Sequence, residues 1–295
     1  LHKAIRRQRQ MCIRDRLKNE VVHSVWAMWH QMQEGDFVQT YTEKGFRGND
    51  KEWESMCIPF GEDAKICLNG VIDRVDLCSL PGEKLIKIID YKSSDSQDLL
   101  LAKVYYGLQM QLLTYLEAAK EMVEKEHEGK EAVPAAMLYY VIKEKNLDWK
   151  PESEEEYEKR VLDSMKCKGY VNEEPEIIGH LDKSVVNGGE LIPGQKSGVV
   201  PVAVDKKGLL KKNSGTLSTK DFETLIAHTK EKMKECGKAI LDGKIEAIPY
   251  VYEDNDGCTY CPYGSVCGHE SKKDGVREMK KMSDDEVWEA LYGDN

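Results

Sequence analysis

The segment between Ile66 and Ile89 constrains this chain most, because there the hydrophobic period becomes two. Ile66, Leu68 and Ile72 alternate with their neighbours through Gly70, and Leu85, Ile86, Ile88 and Ile89 form a nearly continuous apolar run. Pro81-Gly82 lies between the runs, so they read as a β-hairpin. Pro134 opens a third strand, Ala135 to Ile142, whose apolar run calls for burial on both faces. Strands of that kind with helices between them give an α/β fold: a mixed sheet flanked by helices.

The helices follow from apolar spacing. Val21, Val22, Val25, Trp26, Met28, Trp29 and Met32 predict a helix from Leu17 to Gln33, with Trp26 and Trp29 in the core and Gly35 ending it. The chain to about Phe60 reads as loop with short extended pieces. A single helix is expected from about Leu100 to Glu126, with Val104, Leu108, Leu112, Tyr115, Leu116 and Ala119 on one face. Lys143 to Lys212 carries Pro, Gly and Glu runs and reads as an excursion off the core. Ser218 caps a helix through Leu241, followed by Gly243. A basic segment, Ser271 to Lys281, precedes a terminal helix, Ser283 to Leu291.

The first residue is Leu1, which suggests a piece of something longer. Arg7 to Arg16 fits nothing around it and resembles translated sequencing-adapter read-through. The expected organisation is thus a suspect segment 1–16, a main domain 17–270 with its excursion at 143–212, and a tail 271–295. A hydrophobic fraction of 40% and a charged fraction of 33% exclude a disordered tail and a membrane protein. No uncharged apolar run of about 18 residues occurs, so no transmembrane helix is expected; the default compartment is cytoplasmic.

The chemistry concentrates in Gly70-Val-Ile-Asp73-Arg-Val-Asp76 and Ile88-Ile89-Asp90-Tyr91-Lys92-Ser93. Residues two apart on a strand share a face, so Asp90 and Lys92 project together where the apolar run gives out. Asp73, on the hairpin partner, reaches the same place. Two converging carboxylates suit a hard divalent cation, Mg²⁺ or Mn²⁺, and the lysine can orient water and offset charge on a phosphate. A lone Asp-x-Lys is usually a surface ion pair. Here it precedes a helix with Gln111 and Tyr115 at i, i+4, hence on one face.

GVIDRVD, IIDYKSS and YYGLQMQLLTY together resemble the PD-(D/E)XK nuclease domain of RecB-type exonucleases. The resemblance is closer to the C-terminal nuclease domain of the B subunits of bacterial AddAB helicase–nucleases, from about Phe37 to Glu270. It implies a restriction-endonuclease-like core, with Asp73 and Asp90 as metal ligands and Lys92 as the catalytic lysine. It matches Gln111 and Tyr115 to the QxxxY motif that supports the site and the DNA strand. Glu43 falls where the family has an upstream acidic residue. His2 best matches a histidine on the preceding helix, with His23 the weaker match.

Of nine cysteines, most sit among apolar neighbours, as in Ile66-Cys67-Leu68, and read as reduced core thiols. Cys258-x2-Cys261-x5-Cys267 is different: thiolates at this spacing can wrap one centre, and spacing alone leaves Zn²⁺ and iron–sulfur equally open. The family resemblance implies a [4Fe–4S] cluster, a C-terminal cysteine knot with a fourth ligand upstream of the nuclease core; none of the remaining cysteines has a matching context.

The resemblance further implies Mg²⁺-dependent hydrolysis of DNA, DNA ends and single strands as ligands, and an AddA-type helicase–nuclease subunit as heterodimer partner. The processed strand would be the one ending 5′, in double-strand-break repair. The net charge of −10 leaves phosphate attraction to the metal site and local lysines; Lys206, Lys207, Lys211, Lys212 and the stretch Lys272 to Lys281 are candidates, each also readable as solvated surface. Gly189 to Ser197 lacks P-loop spacing and context, so no ATP site is assigned. A non-catalytic DNA-end-binding module stapled by Zn²⁺ or iron–sulfur is the alternative reading. A metal-dependent phosphatase of small molecules is disfavoured by the QxxxY helix.

Overall fold

The computed structural model describes residues 2–48, 53–61, 63–93, 98–142 and 153–293; the side chains of 2–10, 12, 13, 16, 271 and 272 lie outside that description. In chain order the main elements are α1 (His2–Gln33), β1 (Val38–Phe46), β2 (Gly70–Ser79), β3 (Glu83–Lys92), α2 (Leu101–Tyr105), α3 (Gln111–Glu126), β4 (Glu131–Val141), α4 (Glu154–Ser164), β5 (Lys168–Asn172), α5 (Pro175–Leu181), β6 (Thr216–Leu217), α6 (Thr219–Leu241) and α7 (Asp284–Gly293).

Strands β1 to β6 form one mixed sheet in sequence order. The pairs β1–β2, β2–β3 and β4–β5 are antiparallel, whereas β3–β4 and β5–β6 are parallel. A parallel β3–β4 pair needs a crossover, and α3 supplies it. The helix buries Leu112, Leu113, Leu116, Ala119, Met122 and Val123. Pro134, without an N–H, sits at the β3–β4 irregularity, where Ile86 pairs with Pro134 and Lys87 with Ala136.

Two compact units divide the chain. The first holds residues 1–56, 68–99 and 111–223 and contains the sheet; the second holds 57–67, 100–110 and 224–295. In the second unit α7 packs on α2, and the Tyr105 and His228 rings stack with centroids 5.2 Å apart.

Several expectations are corrected. The helix expected from Leu100 to Glu126 is two helices, broken where Gly107 takes φ +76°, a conformation open to glycine and costly elsewhere. The chain before Phe60 contains β1, whose polar, exposed residues hide an edge strand. The excursion at 143–212 contributes to the core instead of lying outside it: β5 joins the sheet, and Val161, Met165, Val171, Val199, Val200 and Val202 are buried in one cluster. Its residues 143–152 lie outside the described ones. Trp29 is 57% exposed rather than core; the ridge Leu17, Val21, Val25 and Trp29 all face outward. Residues 7–16 continue α1 without a break. Cys67 is bonded to Cys57 as a disulfide rather than being a reduced thiol, because the short strands Met56–Phe60 and Ala64–Leu68 pair and place the two side by side.

The caps at Ser218 and Gly243 follow the expectation. Asp221 N–H donates to Ser218 Oγ at 3.1 Å, Asp221 accepts from Ser218 in return, and Gly243 takes φ +66°.

Candidate active site

Asp90 and Lys92 project from the end of β3, and Lys92 Nζ lies 2.5 Å from Asp90 Oδ2. Asp90 is 2% exposed, and its Oδ2 is buried without an aligned hydrogen bond. Burial raises the Asp90 pKa above the ordinary carboxylate range; Lys92 opposes that shift and the charge of Asp73 adds to it. Asp73, on β2, accepts the Tyr91 N–H on Oδ2 at 2.8 Å. The hairpin thus brings the two carboxylates within electrostatic reach, as expected from their placement in the sequence.

The first turn of α3 completes the cluster. Lys92 Nζ donates to Gln111 Oε1 at 3.2 Å, and Gln111 Nε2 donates to the Tyr115 hydroxyl at 2.9 Å. Tyr115 is held from below by Phe46, edge-on at 6.0 Å. Gly70 permits that contact: a Cβ there would stand 2.7 Å from the Phe46 ring.

Tyr139 joins the site without any local sequence signal. It pairs with Asp90 across the parallel β3–β4 register, and Lys92 Nζ lies 5.3 Å from its ring centroid. Burial first, then the Asp90 charge, pushes its phenol up to about 12. Nothing nearby in the sequence marks it, because a parallel neighbour is set by the crossover.

Glu43 is exposed on β1 with φ +48°, a left-handed conformation uncommon for a non-glycine residue. It lies between the pairs Thr42–Arg74 and Lys44–Ile72, so across β1–β2 it is level with Asp73. His2 falls in α1, with its side chain outside the described ones. Lys206, Lys207, Lys211 and Lys212 lie away from regular secondary structure. Gly189 to Ser197 contains no strand-to-helix junction.

Cys258, Cys261 and Cys267 are exposed free thiols. Cys261 N–H donates to the Cys258 carbonyl at 3.1 Å, closing the two-residue turn, and Asp256 Oδ1 accepts the Cys258 N–H at 2.9 Å. Among the described residues no three His, Cys, Asp or Glu side chains are gathered as a metal-holding group. Three thiols also fall one short of the four that close an iron–sulfur or structural zinc site. The carboxylate pair fits a cation better: Mg²⁺ needs only one or two carboxylates, keeping its waters, and a buried oxygen of Asp90 already has a cation against it.

Asp73, Asp90 and Lys92 thus gather at one end of the β2–β3 hairpin in this mixed sheet. The model of the PD-(D/E)XK nuclease superfamily matches residues 3–268, and the chain belongs to that superfamily. Similar curated proteins are named as the B subunits of ATP-dependent helicase/deoxyribonucleases. That of Lachnoclostridium phytofermentans is 32% identical over 288 residues, covering 96% of this chain and 24% of the relative. That of Clostridium perfringens is 34% identical over 280 residues, covering 94% and 23%. That of Caldanaerobacter subterraneus subsp. tengcongensis is 35% identical over 263 residues, covering 88% and 22%. The chain therefore spans about a quarter of the length of the relatives it matches.

Proposed function

We propose that this chain is the Mg²⁺-dependent DNA exonuclease portion of a helicase–nuclease subunit, hydrolysing phosphodiester bonds of single strands and DNA ends. The observation that carries the reading is the buried Asp90 carboxylate facing Asp73, with Lys92 between it and Gln111. A cation held by Asp73 and Asp90 supplies Lewis acidity at the phosphodiester. Asp90, dry on one side, binds a cation more strongly than an exposed carboxylate would. Lys92 orients the attacking water and offsets charge on the phosphate, while Gln111 and Tyr115 hold the ammonium and the scissile strand. Glu43 contributes a further acidic group beside Asp73, and His2 a histidine from α1.

The names of the relatives support DNA as substrate and a partner subunit. In this reading the partner is an AddA-type helicase–nuclease subunit, the trimmed strand ends 5′, and the setting is double-strand-break repair in the cytoplasm. Cys258, Cys261 and Cys267 belong to a [4Fe–4S] site whose fourth ligand comes from outside the described residues; no step of the hydrolysis is assigned to it.

The test is Mg²⁺-dependent degradation of single-stranded DNA labelled at either end, with the parent chain, Asp90→Ala and Lys92→Ala compared. The parent should degrade the strand and each variant should lose roughly 10²–10⁴-fold in rate. A folded parent that binds DNA ends and never cuts them would replace the enzyme with an end-binding module.

A further inference from the structure

Beneath the carboxylates lies a buried ion network that the proposed reaction does not use. Arg74 donates Nε–H to Asp76 Oδ1 at 2.6 Å and Nη2–H to Oδ2 at 2.8 Å, and Lys87 Nζ stands 2.9 Å from Oδ2. The three side chains are 4%, 0% and 11% exposed. Burying three charges costs several kcal/mol per ion before their attraction is counted, and an apolar set of equal volume is often as stable. A role beyond stability has to be sought in what the network touches.

It touches Tyr91. This residue stands between Asp90 and Lys92, so strand alternation sends its side chain to the opposite face. There it lines the same small cavity as Arg74 and Lys87, and its hydroxyl donates to Met28 sulfur at 3.6 Å. Its ring meets Tyr140 edge-on at 6.0 Å, and Tyr140 donates its hydroxyl to the Ser24 carbonyl at 3.1 Å. Tyr140 lines that cavity too, which is only about 20 Å³ in volume. On the other side, the Tyr91 backbone N–H holds Asp73 Oδ2. A side chain fixed on the back face thus sets the amide that aims a carboxylate on the front.

We propose that Arg74 and Tyr91 are positioning residues, a strut from the Asp76–Lys87 network through the sheet that holds Asp73 at the separation from Asp90 that a divalent cation needs. This rests on the proposed function. The strut explains why the charges lie under this strand end: Arg74 pairs with Ile89 and Asp76 with Lys87 in the β2–β3 register, so the network ties together the two strands that carry Asp73 and Asp90.

The test uses the 295-residue chain, with Tyr91→Phe, which removes only the hydroxyl, and Arg74→Met. Mn²⁺ binding is read by electron paramagnetic resonance without DNA, beside thermal melting and the Mg²⁺ dependence of cleavage. Both variants should weaken Mn²⁺ binding by about tenfold, the loss typical of removing an orienting outer-sphere partner, and should shift half-maximal cleavage to correspondingly higher Mg²⁺. Saturating metal should restore most of the turnover. Variants that melt earlier but bind Mn²⁺ like the parent would make the network structural only and overturn the strut. A parent that binds no Mn²⁺ and cuts no DNA would remove the proposed function itself, and the strut with it.

Discussion

At the scale of single residues, the opposite pKa directions of Asp90 and Asp76 give opposite pH signatures. Burial raises the Asp90 pKa in the fold, so the folded state prefers its protonated form. Its contribution to stability is greatest at low pH and is lost as pH rises from the unfolded value, about 3.9, through the raised folded value. A cation at the site competes with that proton. Mn²⁺ affinity should therefore climb as pH rises through the Asp90 pKa, with its midpoint above that of an ordinary aspartate. A binding titration from about pH 4 to about pH 8 checks this; a profile flat over that range would show that Asp90 does not hold the ion. For Asp76, burial is outweighed by Lys87 and Arg74, and its pKa is lowered. That contribution is fully present above about pH 3.9 and disappears only as pH falls through the lower folded value. Gln111 is exposed and bridges Lys92 to Tyr115. Gln111→Leu should leave the melting temperature nearly unchanged, because exposed substitutions usually fall within about 0.5 kcal/mol, while single-turnover cleavage slows by roughly tenfold as Lys92 loses its acceptor.

At the scale of elements, two contacts decide how the site is built. Gly70 opens β2 under the Phe46 ring, and an aromatic ring wedged between β1 and Tyr115 has no free direction to yield. Gly70→Ala should destabilise by about 1–3 kcal/mol through overpacking, read as a lower urea midpoint with unchanged slope. The loss should be larger than at Gly198, where φ is not positive and a Cβ meets nothing within 4 Å. The Cys57–Cys67 disulfide closes a sequence separation of 10, which the chain-entropy model values at about 2–3 kcal/mol. Calorimetry in the presence of dithiothreitol should show the second unit melting several degrees earlier, and Cys57→Ser should abolish that sensitivity.

At the scale of the whole molecule, net charge bears on how the proposed DNA substrate would be met. A chain of net charge −10 repels polyphosphate at long range, so cation-mediated contact has to dominate. Binding of single-stranded DNA in EDTA should be weak, and Mg²⁺ should strengthen it. The logarithmic salt slope should be shallow, reflecting few direct lysine or arginine contacts to phosphate. Fluorescence anisotropy over a salt series distinguishes this from a basic-patch binder, whose steep slope would persist in EDTA. Among the described residues no helix is long and apolar enough to cross a membrane.

Asp73, Asp90, Lys92, Gln111 and Tyr115 were legible in the sequence because strand alternation and the i, i+4 helix spacing are local rules, and local rules carry side chains to a shared face without knowledge of the rest. The turn at Pro81-Gly82 and the α6 caps were legible for the same reason, but Ile66 and Leu68, expected in the hairpin's first arm, lie in a separate short strand that pairs with Met56–Phe60. Tyr139 and the burial of Asp90 were not legible, since each depends on β4 arriving parallel to β3 after the α3 crossover; nor was the Tyr91 N–H on Asp73, which the hairpin makes only once its register is set. Edge strand β1 is mostly polar and exposed until Gly45 and Phe46, and carries no apolar period to read. Charge runs around Lys143 to Lys212 masked Val199, Val200 and Val202, which only packing against β5 reveals as core. The sequence by itself determined which chemistry is present and roughly where each group points. The tertiary structure decided which groups are dry, which neighbours they have and how their charges are held, because burial and non-local pairing exist only once the sheet has closed over them.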